Sequence, residues 1–168
     1  MPRIWRYQFP TTLFVAVALS CPATAQSVSS ISTSEAAKLL TNPRAVVLLD
    51  VREREEFAIS RIPNALNIPA STETDRTESR LVRIVSGKIL IIYCTLGTRS
   101  ADFATFAETG LKRLGAKSIY ILSGGIIAWH NEERRLVDRK GATRLIHPFR
   151  NELVRMLRHS EFARIKAR

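Results

Sequence analysis

The sequence predicts an α/β domain in which helices cover both faces of a parallel sheet. Short apolar runs rich in β-branched residues alternate with stretches of helical periodicity. The runs have no polar face, which is typical of parallel strands buried on both sides. The chain has 168 residues, enough for one domain with a sizeable core. We therefore expect one α/β domain with additions at its two ends.

The expected elements follow one another in the middle of the chain. Strands are predicted at residues 45–51 (AVVLLDV), 88–93 (KILIIY) and 117–122 (KSIYIL). Helices are predicted at residues 34–40, 76–85, 100–114 and 125–133. Polar residues at 70–78 indicate a surface loop, and residues 138–141 indicate a linker.

The first 25 residues have the pattern of a cleaved export signal. Arg3 and Arg6 precede an apolar stretch at 13–19, and the small residues Ala23-Thr24-Ala25 follow at signal-peptidase spacing. The apolar stretch is far shorter than the roughly 20 residues that a membrane-spanning helix needs. We expect residues 1–25 to be removed and the mature protein to be periplasmic or secreted.

Export changes the meaning of the two cysteines. Cys21 lies inside the signal, and a lipoprotein signal ending at this residue is an alternative. The mature chain keeps Cys94 in a compartment where cysteines usually pair as disulfides, so Cys94 is either an inert buried residue or a reactive thiol. The histidines lie in or beyond the last predicted helix and are expected mostly at the surface: His130, His147 and His159. One cysteine and scattered histidines give no metal-ligand spacing, so no metal site is expected.

The neighbours of Cys94 favour a reactive thiol. This residue follows a predicted strand and precedes a predicted helix, where α/β sheets bind their ligands. The connecting segment is Cys94-Thr95-Leu96-Gly97-Thr98-Arg99-Ser100. Gly97 can take a positive φ, so the backbone N–H groups can turn towards one point and form a nest for an anion. Arg99 adds a cation and Ser100 could cap the helix, so we expect the loop to favour a thiolate.

Positive charge is concentrated at the C-terminus. Residues 134–168 hold eleven Lys and Arg against three acids, whereas residues 26–133 hold thirteen against twelve. Four apolar residues follow at helical spacing: Phe149, Leu153, Met156 and Leu157. We expect residues 137–168 to form a basic helical extension that docks on a partner protein or an anionic membrane surface, or else packs on the domain itself. Nucleic acid is not expected as a partner of an exported protein.

Four segments together resemble the rhodanese domain. In chain order they are Leu49-Asp50-Val51-Arg52-Glu53 with Glu56-Phe57, residues 62–69 (IPNALNIP), the loop from Cys94 to Ser100, and Leu122-Ser123-Gly124-Gly125 with Ala128-Trp129. The resemblance covers residues 31 to about 135 and implies a rhodanese-like domain, at residues 26–136, with a five-stranded parallel sheet flanked by helices. The chain departs from the family at Ser60-Arg61, where many members have Gly-His.

This resemblance implies a sulfurtransferase that needs no cofactor. Cys94 would accept sulfane sulfur as a persulfide from a donor such as thiosulfate and pass it to a thiophilic acceptor, either cyanide or a thiol. Arg99 is expected to act with Cys94 in catalysis. The expected substrate-binding residues are Thr95, Leu96, Gly97, Thr98 and Ser100. Asp50 and Arg52 are expected as structural support, with Asp50 holding the loop by hydrogen bonds or by pairing with Arg99.

Two alternatives remain. A cysteine-dependent phosphatase uses a similar loop, but there five residues separate the cysteine from the arginine, and here four do, Thr95 to Thr98. The tighter loop suits sulfur better than phosphate. The second alternative is a rhodanese-like module that only binds partners. Such modules commonly lack the cysteine, which this chain keeps.

Overall fold

The computed structural model describes residues 28–72, 81 and 83–166, and it is centred on a parallel sheet. The strands of this sheet are β1 (Ser29–Ile31), β2 (Val46–Asp50), β3 (Leu66–Asn67), β4 (Ile89–Tyr93) and β5 (Ser118–Leu122). Their order is β1-β5-β4-β2-β3, and every pairing is parallel. The predicted α/β class with a five-stranded parallel sheet is therefore confirmed.

Four helices are described in full around the sheet, and residues 83–85 are also helical. The four are α1 (Thr33–Leu39), α2 (Arg54–Ile59), α3 (Thr98–Arg113) and α4 (Gly125–Asn131). Three of them confirm predicted helices to within two residues, whereas the six-residue α2 was not predicted. The expected loop at 70–78 and the expected helix at 76–85 lie largely outside the described residues, as does the expected signal at 1–25.

The central strands are buried on both faces. Leu48 and Ile91 belong to one hydrophobic cluster, while their chain neighbours Leu49 and Ile92 belong to the other. Successive side chains of a strand point to opposite faces of a sheet, so the two clusters lie on its two sides. This explains why β2 and β4 are apolar apart from Asp50 at the end of β2.

A β-hairpin follows the last helix. Its strands are β6 (Leu136–Val137) and β7 (Ala142–Thr143), paired antiparallel. Asp138 closes the turn: its N–H donates to the carbonyl of Gly141 at 2.8 Å, and its carboxylate accepts from the N–H groups of Lys140 and Gly141. The expected linker at 138–141 is therefore wrong, because this segment is a tight hydrogen-bonded turn.

The rest of the C-terminal segment is not the expected amphipathic α-helix. It contains two short 3-10 helices, Asn151–Met156 and Ser160–Phe162, and Phe149 before them has a φ of 71°. Ile146 and Leu157 are buried in one of the two core clusters of the domain, so the apolar residues do not form one continuous stripe. The alternative that this segment packs on the domain itself is confirmed. Among the residues that the structure describes, no helix has the length and apolar character needed to cross a bilayer.

Candidate active site

Cys94 lies at the C-terminal end of β4, in the middle of the sheet. The loop after it leads directly into α3, and Cys94 is a free cysteine with only 2% of its surface exposed. The N–H of Gly97 donates to the Cys94 Sγ at 3.1 Å. Gly97 has a φ of 120°, a conformation that glycine adopts without steric cost. The loop thus places a backbone donor against the sulfur.

Ser100 is the second donor close to the sulfur. Its Oγ lies 3.7 Å from the Cys94 Sγ and donates to the carbonyl of Gly97 at 2.8 Å. The hydroxyl has one proton, so these two acceptors compete for it. Helix α3 begins at Thr98 with Gly97 as its N-cap, so the expectation that Ser100 caps the helix is wrong. Ser100 lies instead in the first turn, fully buried beside the sulfur.

The remaining loop residues face different surroundings. Leu96 is half-buried against the core, and Thr98 is exposed at the start of α3. Thr95 is buried, and its hydroxyl donates to the Glu56 Oε1 at 3.1 Å. Of the expected substrate-binding residues, Gly97 and Ser100 are therefore the ones with a contact to the Cys94 sulfur.

Arg99 is held by Glu56 in a two-pronged ion pair. Its Nη1 donates to the Glu56 Oε2 at 2.7 Å, and its Nη2 donates to the Oε1 at 2.9 Å and to the Thr95 Oγ1 at 2.8 Å. The Glu56 side chain is 3% exposed and that of Arg99 is 23% exposed. Burial raises the pKa of Glu56, but the hydrogen bonds and charge of Arg99 outweigh it, so the pKa lies below its usual value. The pair ties the loop to α2.

Asp50 does not pair with Arg99, so that expectation is wrong. Its carboxylate accepts from the Nη2 of Arg52 at 2.7 Å and from the Nε at 3.0 Å, and both side chains are fully buried. Arg52 also donates to the carbonyl of Ser60 at 2.7 Å. Burial lowers the pKa of Arg52, but Asp50 outweighs it and raises the pKa above its usual value. The pair joins the end of β2 to the segment after α2.

Helix α4 holds the other side of the loop. The N–H of Ile126 donates to the carbonyl of Cys94 at 2.9 Å, and that of Ile127 donates to the carbonyl of Thr95 at 3.2 Å. These bonds use N–H groups of the first helical turn that have no partner within the helix. With two carbonyl groups turned towards α4, the Gly97 N–H can face the sulfur.

Two of the three histidines are buried, so the expectation that most lie at the surface is wrong. The Nε2 of His130 lies 3.0 Å from the carbonyl of Arg144, and that of His147 lies 3.0 Å from the carbonyl of Ile165. His130 therefore joins α4 to the C-terminal segment, and His147 joins two parts of that segment to each other. Within residues 28–72, 81 and 83–166, no group of three or more His, Cys, Asp or Glu could hold a metal ion.

Sequence reasoning missed two residues that contact Arg99. Glu56 had a signal, because it stands in the first segment that resembles the rhodanese domain. Phe149, whose ring centre lies 4.2 Å from the Cζ of Arg99, had none pointing to this site, because its spacing indicated a separate helix. The site thus combines one local loop with contacts from distant parts of the chain.

Comparison with known proteins finds relatives that contain a rhodanese-like domain. The family model for the rhodanese-like domain matches residues 32–132. A sulfurtransferase of Allochromatium vinosum is 29% identical over 114 residues, which are 68% of this chain and 99% of that protein. A tRNA uridine(34) hydroxylase of Buchnera aphidicola is 28% identical over 104 residues, 61% of this chain but only 31% of that protein, so the match spans less than a third of this relative.

The fold also agrees with a solved structure. A thiosulfate sulfurtransferase of Pseudomonas aeruginosa matches with a TM-score of 0.52 at 20% identity, over 77% of this chain and 23% of that chain, which is a likeness of fold. The family match covers more than half of the 168 residues and includes the whole Cys94 loop. The chain therefore belongs to the rhodanese-like domain family.

Proposed function

We propose that this protein is a sulfurtransferase that carries sulfane sulfur on Cys94 as a persulfide. The observation that carries the proposal is the Cys94 sulfur at the end of β4, with the Gly97 N–H donating to it at 3.1 Å. The Ser100 Oγ lies 3.7 Å from the same sulfur. Such donors stabilise negative charge on a buried sulfur, which both the attacking thiolate and the persulfide require. The family relative that is named a sulfurtransferase supports the same chemistry.

The transfer takes two displacements. The Cys94 thiolate attacks the outer sulfur of thiosulfate, the sulfur–sulfur bond of the donor breaks, and its electron pair leaves on sulfite. The new sulfur carries the negative charge, and the Gly97 N–H and the Ser100 hydroxyl are near enough to share in stabilising it. Cyanide or a thiolate then attacks this outer sulfur and releases the Cys94 thiolate unchanged. Charge and sulfur balance in both steps, and no general base is needed once the thiol is ionised.

Arg99 acts in this scheme mainly by positioning the loop. Its guanidinium donates to Glu56 and Thr95, and the Thr95 backbone follows Cys94 directly. Its positive charge is paired with the carboxylate of Glu56. We infer that Arg99 serves both displacements by holding the loop in place.

The test is the mass of the protein after incubation with thiosulfate. Wild-type protein should gain one sulfur atom, and cyanide should remove it and yield thiocyanate. Cys94→Ser should abolish both while keeping the fold, because the side chains are nearly the same size. Ser30→Ala, at an exposed position of the edge strand β1, is the matched control and should load normally. Transfer that survives in Cys94→Ser would refute the mechanism, and a wild-type protein that no donor loads would favour the partner-binding module.

We further propose that the protein is exported and works in the periplasm or outside the cell. The charged, apolar and small-residue pattern of residues 1–25 supports this. N-terminal sequencing of protein from fractionated bacterial cells should find a mature chain beginning near Gln26. Uncleaved protein in the cytosol would contradict the proposal.

A further inference from the structure

The C-terminal segment reaches the active site, although the family match ends at residue 132. The Phe149 ring centre lies 4.2 Å from the Cζ of Arg99, which is the distance of a cation–π contact. Glu56 binds the edge of the same guanidinium. One residue thus fixes the edge of Arg99, and the other covers its face.

Phe149 is itself held in a costly conformation. Its φ of 71° is uncommon for a residue with a bulky side chain, and such a backbone persists only where its surroundings fix it. The Phe149 N–H donates to the Nδ1 of His147 at 2.9 Å, and the Nε2 of His147 lies 3.0 Å from the carbonyl of Ile165. His147 is 7% exposed. A neutral imidazole that accepts at Nδ1 and donates at Nε2 satisfies both contacts.

The segment around His147 is anchored to the core. Ile146 is fully buried, its N–H donates to the carbonyl of Phe162 at 3.0 Å, and its carbonyl accepts from the N–H of Arg164 at 2.9 Å. These bonds place residues 146 and 162–164 side by side. The support behind Phe149 is therefore built from two parts of the C-terminal segment.

A short series of contacts links Phe149 to the Cys94 sulfur by way of Arg99. Arg99 donates to the Thr95 Oγ1 at 2.8 Å, Thr95 follows Cys94, and the loop then turns so that the Gly97 N–H reaches the sulfur. A looser Arg99 would therefore let the loop and its donors move relative to the sulfur.

We propose that Phe149 is a positioning residue for the Cys94 loop, which makes the C-terminal segment a part of the active site. The effect on sulfur transfer rests on the proposed function, while the effect on the loop does not. Phe149 acts through Arg99: the ring restricts the guanidinium, and the guanidinium holds the loop.

Three variants and a matched control separate the ring from the backbone. Phe149→Leu removes the aromatic face, and Phe149→Tyr keeps it. Phe149→Gly also removes the ring but relieves the positive φ, so it keeps the fold even where the leucine variant does not. The control is Phe162→Leu, because the Phe162 ring centre also lies 4.2 Å from an arginine Cζ, that of Arg144. The bond from Ile146 reaches the backbone carbonyl of Phe162, so leucine keeps it.

Two measurements apply to every variant. The first is the rate of persulfide formation at saturating thiosulfate together with the half-saturating concentration. The second is amide hydrogen exchange of a peptide that covers residues 94–100. Phe149→Leu and Phe149→Gly should lower the saturated rate about three- to tenfold, as expected for a partly buried cation–π contact, and leave the half-saturating concentration nearly unchanged. Both should speed exchange in the loop, whereas Phe149→Tyr and Phe162→Leu should resemble wild type.

The outcomes distinguish the two proposals. If Phe149→Leu and Phe149→Gly match Phe162→Leu in rate and loop exchange, the role of Phe149 is refuted. A rise in the half-saturating concentration with an unchanged saturated rate would also refute it, because that pattern indicates direct substrate binding. If wild type never loads sulfur, the proposed function fails, and the exchange measurement alone decides whether Phe149 holds the loop.

Discussion

Replacing Gly125 with alanine tests how tightly α4 is fitted against the active-site loop. A Cβ built on Gly125 would lie 2.4 Å from the carbonyl oxygen of Cys94 and 2.5 Å from that of Thr95. Both neighbours are backbone atoms, so no side chain can turn away. The loop and α4 would have to separate by about 1 Å, which strains the bonds from Ile126 and Ile127 to the same two carbonyl groups.

The expected cost has two parts. The φ of 58° at Gly125 costs an alanine about 1–2 kcal/mol, and overpacking against the loop costs about 1–3 kcal/mol more. The total of about 2–5 kcal/mol is less than the stability of most domains, so the variant should still fold. A chain of this size loses about 2–4 °C of Tm for each kcal/mol, which gives a fall of about 4–20 °C.

Gly87→Ala is the matched control. Gly87 has a φ of 69°, close to that of Gly125, but a Cβ there would meet nothing within 4 Å. This variant should lose only the backbone part, about 1–2 kcal/mol, and should load sulfur like wild type. Thermal unfolding followed by circular dichroism gives the Tm, and mass spectrometry after thiosulfate gives the loading at a temperature where both variants are folded. Equal Tm values and full loading in both variants would show that the loop does not depend on close contact with α4.

Three further predictions concern buried charges. Glu56→Gln should destabilise the protein by about 2–3 kcal/mol at pH 7, because Arg99 loses its partner. The pKa of Glu56 lies below its usual value of 4.5, so the ion pair contributes fully to stability above pH 4.5 and its contribution disappears as the pH falls through the lowered pKa. In urea unfolding, the difference in stability between wild type and Glu56→Gln should therefore be smaller at pH 3.5 than at pH 7. Arg52→Met should cost about 3–5 kcal/mol by leaving Asp50 buried without a cation, and adding Asp50→Asn should recover part of that loss; full additivity would argue against the pairing. Burial lowers the pKa of His147 below 6.5, so wild-type stability should fall as the pH drops from about 7 towards the folded pKa, and His147→Asn should flatten that decline in urea titrations.

The sequence predicted what is encoded locally. β2 and β4 are largely apolar on both faces, so their composition alone marks them as central strands. β3 has only two residues, too few to show any period. The Cys94 loop was also predictable, because its features are local: the cysteine and the glycine stand three residues apart, between a predicted strand and a predicted helix.

The contacts that complete the site could not be read from spacing. Glu56 and Phe149 lie more than forty residues from Arg99 in opposite directions along the chain, and only the fold brings them together. An α-helix was predicted for the C-terminal segment because its apolar residues have helical spacing. Leu157 in fact joins the core of the domain, and tertiary packing outweighs the local helical pattern.

The strand order has a consequence for how the chain folds. Among the described strands β1 pairs with β5 alone, so that Ser29 meets Tyr120 across about ninety residues of intervening chain. Closing so large a loop costs entropy before any contact compensates for it, and folds dominated by such pairings form slowly. During synthesis β1 cannot pair with β5 until β5 has left the ribosome. Phe149 is made after both strands. The contact between Arg99 and Phe149 can therefore form only after residue 149 has been made.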